Sequence, residues 1–248
     1  MEREDKAPMT DAPRLLFADG ELLIAEKPVG VLSQGDDPDA LPARLSRAGM
    51  PVLPVHRLDR GTGGAIVYAK TKRAAAALSA LVGQHESFQK EYLAVLCAPP
   101  EHCPAPGDGG TLTDLLYHDP RRNKSFVVAR ERRGVRSASL SYRILAAAPA
   151  DGQTTLVLAA VRLHTGRTHQ IRVQFSSRGL PLSGDARYGG RCDKAGAAVF
   201  GRDPALWSSR LSFTHPFTGE AVSVTSLPDL SAAPWRPFAE TIMRNTDG

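Results

Sequence analysis

At 248 residues with 42% apolar side chains, the chain is long enough to bury a substantial core, and one or two domains is the expectation. Its three cysteines, Cys97, Cys103 and Cys192, are too few and too scattered for a disulfide framework or a zinc module, and no run of 18 apolar residues offers a membrane helix. The net charge of +5 conceals an asymmetry: residues 1–39 carry ten acids against four bases, which leaves +11 on residues 40–248.

The N-terminal stretch contains Glu2, Glu4, Asp5 and Asp11 and has no apolar segment of the kind a secretory signal needs. We therefore expect residues 1–13 to be a disordered tail, residues 14–243 to form one domain, and the protein to be soluble and cytoplasmic. Residues 15–17 and 22–25, joined by Asp19-Gly20, read as a β-hairpin that ends at Lys27-Pro28-Val29-Gly30. Residues 41–48 suit a short helix and residues 52–58 an extended segment. The apolar run Ala65-Ile66-Val67-Tyr68-Ala69 suits a buried strand, after which Thr71 is placed to N-cap a helix over residues 74–82. Further strands are expected over 88–97, 125–129, 138–145 and 154–163, with a Pro/Gly loop over 99–110. Residues 168–177 read as a helix with Ile171 and Phe175 on one face. Residues 188–204 read as a long loop, 211–213 and 222–224 as short strands, and 234–243 as a terminal helix. Many strands, few helices and no βαβαβ rhythm give an α+β fold on a mixed, largely antiparallel sheet with flanking helices and loops.

Asp59 is the single acid between Asp39 and Glu86, and it stands among Arg44, Arg47, Arg57, Arg60, Lys70, Lys72 and Arg73. Such surroundings favour the ionised carboxylate, which suits a nucleophile or base and equally a structural ion pair at a turn. Two later segments are strongly basic: eight bases against Asp119 and Glu131 over residues 115–145, and six arginines against Asp185 over residues 160–191. These are the footprint of a polyanion binder or, more plainly, a solvated face; guanidinium favours the first because it makes bidentate phosphate contacts and stacks on bases.

Tyr92, in Lys90-Glu91-Tyr92, reads as a core residue or as a ring that stacks on a base with a hydroxyl available for proton transfer. His164 and His169 flank Thr165-Gly166-Arg167-Thr168, but the nearest acids are Asp151 and Asp185 and no H-E-x-x-H spacing occurs, so no metal is expected. His56 and Cys97 are a poor thiol pair because Cys97 lies in an apolar strand. There is no G-x-S-x-G, no phosphate loop and no dinucleotide fingerprint.

Three separated segments then converge. His56-Arg57-Leu58-Asp59 followed by Gly64 and an apolar strand, Lys90-Glu91-Tyr92, and Thr165-Gly166-Arg167-Thr168-His169-Gln170-Ile171-Arg172 together resemble the RluA-type RNA pseudouridine synthases. Weaker likenesses lie at Glu26-Lys27-Pro28-Val29-Gly30, Gly184-Asp185-Ala186-Arg187-Tyr188-Gly189 and His215-Pro216-Phe217-Thr218-Gly219-Glu220. The chain departs from the pattern at Gly63, where the family usually has Ser, and at Gln174, where His is common. The small S4 RNA-binding domain of many relatives is not expected here.

The resemblance implies an isomerase that converts uridine within ribosomal or transfer RNA to pseudouridine, with no cofactor and no metal, acting as a monomer. It implies that Asp59 attacks C1′ of the ribose or takes the C2′ proton. It further implies that Arg172 pairs with Asp59, that Tyr92 stacks on the base, that Arg57 enters the space left by the flipped nucleotide, and that Ile171 packs beside the uracil. Arg167, His56 and Arg60 would shape the site or contact phosphate. Two other readings stay open at this point: a silent RNA-binding module of the same fold, and a metal-dependent hydrolase.

Overall fold

A computed structural model describes residues 13–84, 87–150, 154–189 and 203–246. All of the expected tail but Pro13, and most of the long 188–204 loop, lie outside these residues. The described chain contains one eleven-stranded sheet: β1 Leu15–Ala18, β2 Leu22–Lys27, β3 Leu53–Pro54, β4 Gly63–Ala69, β5 Phe88–Ala98, β6 Gly109–Asp119, β7 Lys124–Val128, β8 Val135–Pro149, β9 Thr155–Leu163, β10 Leu206–Thr214 and β11 Ala221–Thr225. The main path runs β1-β2-β4-β10-β5-β9-β8-β6-β7, with β3 paired to β4 and β11 to β10. Among the described residues only β4 and β10 pair in parallel; the other strand pairings are antiparallel, as expected for a mixed, largely antiparallel sheet.

Among the described residues the helices are α1 Leu41–Arg47, α2 Lys72–Val82, α3 Gln170–Ser176 and α4 Ala239–Thr246. Thr71 caps α2 as its sequence position suggests: its hydroxyl accepts from the Ala74 N–H at 3.0 Å. Strand β4 is buried along its whole length because both of its faces are covered. Ile66 and Tyr68 pack with Leu41, Leu45, Ile171 and Phe175, while Ala65, Val67 and Ala69 pack with Ala74 and Leu78 of α2. Leu93, Val95 and Cys97 of β5 meet Trp235, Phe238 and Ile242 in a third cluster.

Four expectations are corrected. The Pro/Gly loop ends at Gly109, where β6 begins, and this strand was not expected; its first five residues, Gly-Gly-Thr-Leu-Thr, are exposed except for Leu112 and carry little strand signal. Strand β10 starts at Leu206 rather than Leu211, because Ser208 and Ser209 are buried between neighbouring strands despite their polarity. The terminal helix begins only at Ala239, after a short 3₁₀ turn over Arg236–Phe238. The extended segment before Asp59 is reduced to the two residues of β3.

Close approach of β4 and β10 explains Gly63 and Gly64. A Cβ on Gly63 would lie 2.2 Å from the Trp207 ring, and one on Gly64, at φ +107°, would lie 2.3 Å from the Ser208 carbonyl oxygen. Serine is therefore excluded at residue 63 by the indole that fills its place.

Candidate active site

Asp59 lies on the loop between β3 and β4, and the segment following β2 holds that loop down. Ser33 Oγ donates to the Leu58 carbonyl at 2.9 Å and accepts the Leu58 N–H at 3.2 Å. The Arg60 carbonyl accepts from the Gly30 N–H and from Lys27 Nζ. Lys27 is fully buried, and its ammonium also donates to the carbonyls of Pro28 and Val31; burial pushes it down to about 7. The Lys27-Pro28-Val29-Gly30 element is thus a brace for the Asp59 turn, closed by the Thr62 N–H donating to the Asp59 carbonyl at 3.0 Å.

From the opposite side, α3 delivers Arg172. Its Nη1 donates to Asp59 Oδ2 at 3.3 Å, while Nε and Nη2 make a bidentate pair with Asp185 at 2.6 and 2.8 Å. Burial alone would lower the guanidinium, but the hydrogen bonds and charge of Asp185, followed by the charge of Asp59, hold it above its ordinary value. Asp59 is therefore less isolated than its sequence neighbourhood suggests, since a second carboxylate stands one guanidinium away.

His169 precedes α3 with a left-handed φ of +55°, a conformation costing about 1–3 kcal/mol that tends to collect at functional sites. Its Nε2 is 3.7 Å from Asp59 Oδ2 and its Nδ1 is 3.0 Å from Tyr188 Oη. The Tyr188 oxygen already accepts the Ser125 N–H at 2.7 Å, so its own proton is free for Nδ1, which assigns the Nε2–H tautomer. Burial, outweighing the pull of Asp59, lowers His169 to about 4, so the ring is neutral at physiological pH. Gln170 fixes the turn before the helix by accepting from Thr165 Oγ1 and the Arg167 N–H and donating to the Ser139 carbonyl. Gln174, the other departure from the family pattern, ties α3 to β6 by donating to Asp114 Oδ2 at 2.7 Å.

These elements enclose a cavity of about 370 Å³ lined by Arg57, Asp59, Tyr92, Arg167, Ile171 and Arg172, with His56, Lys90 and His169 also on its wall. Tyr92 is buried; burial first, then the negative charge of Asp59, push its hydroxyl up, so it remains a neutral phenol. Arg57 and Arg167 are exposed. His56 lines the wall as a prop: its Nε2 accepts the Val67 N–H at 3.1 Å, and burial together with the Lys90 ammonium lowers it to about 3. A neutral ring so engaged shapes the site and is poorly suited to phosphate.

Arg60 is not brought to the cavity; its Nε donates to the Gly30 carbonyl at 2.8 Å. His164 turns away from His169 to Ser141, and among the described residues no group of three or more His, Cys, Asp or Glu is placed to hold a metal. Sequence reasoning did not assign Lys27, Lys90, His169, Asp185 or Tyr188 to the site. Of these, Asp185 and Tyr188 had a signal in the Gly184-to-Gly189 likeness, and Lys27 in the one before it.

A family model described as RNA pseudouridylate synthase matches residues 21–177, which include Asp59, Tyr92 and Arg172. The chain belongs to this family. It is 34% identical over 229 residues to ribosomal large subunit pseudouridine synthase D of Zymomonas mobilis, covering 84% of this chain and 67% of that protein. It is 30% identical to an uncharacterized RNA pseudouridine synthase, YhcT, of Bacillus subtilis, covering 84% of this chain and 66% of that protein. A third relative, the dual-specificity RNA pseudouridine synthase RluA of Escherichia coli, is 29% identical, with 87% of this chain and 93% of that protein covered. The chain thus spans about two thirds of the length of the Zymomonas and Bacillus proteins. Among solved structures, human RNA pseudouridylate synthase domain containing 1 shares the fold, with a TM-score of 0.73 at 21% identity and coverage of 93% of this chain and 89% of that one.

Proposed function

We propose that the protein isomerises uridine within structured RNA to pseudouridine, with Asp59 acting on the ribose as nucleophile or as base at C2′. One observation carries this reading: a carboxylate opening into a cavity of nucleoside size, aimed by Arg172 at 3.3 Å, with the buried Tyr92 on the same wall. The target nucleotide is flipped out of its stack, at a cost of a few kcal/mol, and Arg57 enters the vacated space. Tyr92 stacks on the base, Ile171 packs at its edge, and Arg167 with the exposed arginines of residues 121–136 holds the RNA backbone. The product is an isomer of the substrate, so the reaction consumes no redox partner and no group donor. Ribosomal or transfer RNA is the substrate class in this reading, with a monomeric enzyme working in the cytoplasm.

The test is Asp59→Asn. The variant is expected to fold and to bind RNA as the parent does and to form no pseudouridine; substantial residual turnover would sink the assignment. Comparing pseudouridine maps of total RNA from cells with and without the gene names the RNA and the uridine.

A further inference from the structure

Four cations line the cavity, and they are not equivalent. Arg172 is committed to two carboxylates, and Arg57 and Arg167 are exposed. Lys90 is only 5% exposed, and among the described residues its ammonium has no hydrogen bond or ion pair, its one cation–π neighbour being the Phe88 ring. Its Nζ sits 5.5 Å from the Phe88 ring centroid and 3.7 Å from where a Cβ on Gly166 would stand, so glycine at residue 166 leaves room beside it. A largely buried charge without an acceptor is costly, and because Lys90 lines the cavity the cost is recovered when a ligand there supplies one.

The strand dictates where that acceptor must be. Residues 88, 90 and 92 of β5 share one face, which puts Lys90 about 6.7 Å along the strand from Tyr92. Tyr92 in turn feels the charge of Asp59. Lys90, Tyr92 and Asp59 line one cavity, so a uracil stacked on Tyr92 with its ribose at Asp59 can offer O2 or O4 to Lys90, whereas the exposed Arg57 and Arg167 are the better placed for phosphates.

Resting on the function proposed above, we infer that the Lys90 ammonium receives the uracil carbonyl oxygen that gathers negative charge as the base detaches. When the N1–C1′ bond breaks, its electron pair leaves with the uracil and spreads over N1, O2 and O4. Meanwhile an Asp59 oxygen bonds to C1′, or Asp59 takes the C2′ proton. The base turns, and the C5 electron pair forms the new bond to C1′ as Asp59 is released or returns its proton. The proton lost from C5 is matched by one gained at N1, so nothing is oxidised and no co-reactant is used. Lys90 contributes charge and a hydrogen bond throughout and keeps its protons.

The titratable and charged groups that line the cavity with Lys90 are His56, Arg57 and Asp59 from the β3–β4 loop, Tyr92 on its own strand, and Arg167, His169 and Arg172. Burial pushes the lysine down to about 8, and the two histidines are already neutral well below that. The catalytic rate should therefore fall above about pH 8 as the ammonium is lost.

The experiment uses the full chain and the RNA that loses pseudouridine when the gene is deleted, with enzyme in excess. Lys90→Met is expected to lower the saturating rate about a hundredfold, as loss of one oxyanion donor does, with the half-saturating concentration unchanged within about twofold. Lys90→Arg should keep most of the rate and carry the alkaline limb to higher pH. A tenfold loss of RNA affinity at an unchanged saturating rate would make Lys90 a phosphate clamp and overturn the proposal, as would an unaltered rate and pH profile. Should Lys90→Met not fold, Lys90→Gln is put through the same two measurements. Absence of turnover in the unmodified protein would instead bring down the reading on which this one rests.

Discussion

Replacing Arg172 by lysine keeps the positive charge and removes the fork. In the structure three guanidinium N–H groups are used at once, two on Asp185 and one on Asp59. A single ammonium cannot span both carboxylates, so at most one of the three charged hydrogen bonds survives, and each is worth about 1.5–3 kcal/mol. Asp59 recovers part of its loss from water, its side chain being 17% exposed, but Asp185 at 1% cannot. The expected net destabilisation is about 3 kcal/mol, the lower end of what breaking a buried pair costs, which corresponds to a fall in Tm of roughly 6–12 °C for a domain of this size. Urea unfolding followed by fluorescence of Trp207 and Trp235 measures the first quantity, and single-turnover pseudouridine formation, expected to drop at least a hundredfold, measures the aim of Asp59. If Arg172→Lys unfolded within 1 kcal/mol of the parent and turned over at the parental rate, the shared fork would hold neither the fold nor the carboxylate.

Two further outcomes follow from the same geometry. Gly64→Ala combines a left-handed φ with overlap onto the β10 backbone, and is expected to cost about 3 kcal/mol or more. Gly20→Ala, with nothing within 4 Å of its Cβ, should be near neutral; equal urea midpoints for the two would refute the close-approach argument. Stability should also decline in acid. Unfolded, His56 binds a proton below its ordinary 6.5, whereas folded it does so only near 3, so the unfolded chain holds more protons between these values. This contribution is complete above about pH 7 and shrinks as pH falls, by about 2 kcal/mol at pH 5. His169 adds a decline of the same sign. His56→Gln should flatten the pH dependence of the unfolding free energy by about half, and an unchanged slope would exclude the histidine as its source.

The parts of the fold written in short-range pattern were legible, and the parts made by pairing across the sheet were not. Thr71 announced its helix, and the uninterrupted apolar run 65–69 announced a strand covered on both faces. Ser208 and Ser209 gave no such signal, because their burial is imposed by β4 and β5 on either side. Asp59 and Arg172 were legible through their motifs. The second carboxylate was not joined to them because Asp185 meets Arg172 only through the turn that follows α3. Lys90 was read as part of a motif, since nothing in the sequence shows that its side chain is buried along a cavity wall. Gly63 looked like a departure until Trp207 was placed over it.

Asp59 and Arg172 are 113 residues apart, and the guanidinium that joins them is anchored still further along, at Asp185. A chain in which β5 to β9 are not yet in place has an aspartate directed at nothing. Under the proposed function, chemistry on RNA would be withheld from a half-made or locally opened protein, because the Asp59–Arg172 contact joins segments of high sequence separation whose loop-closure cost must be met first. The aim of the proposed nucleophile and the joining of two distant segments of the chain then depend on the same pair of atoms.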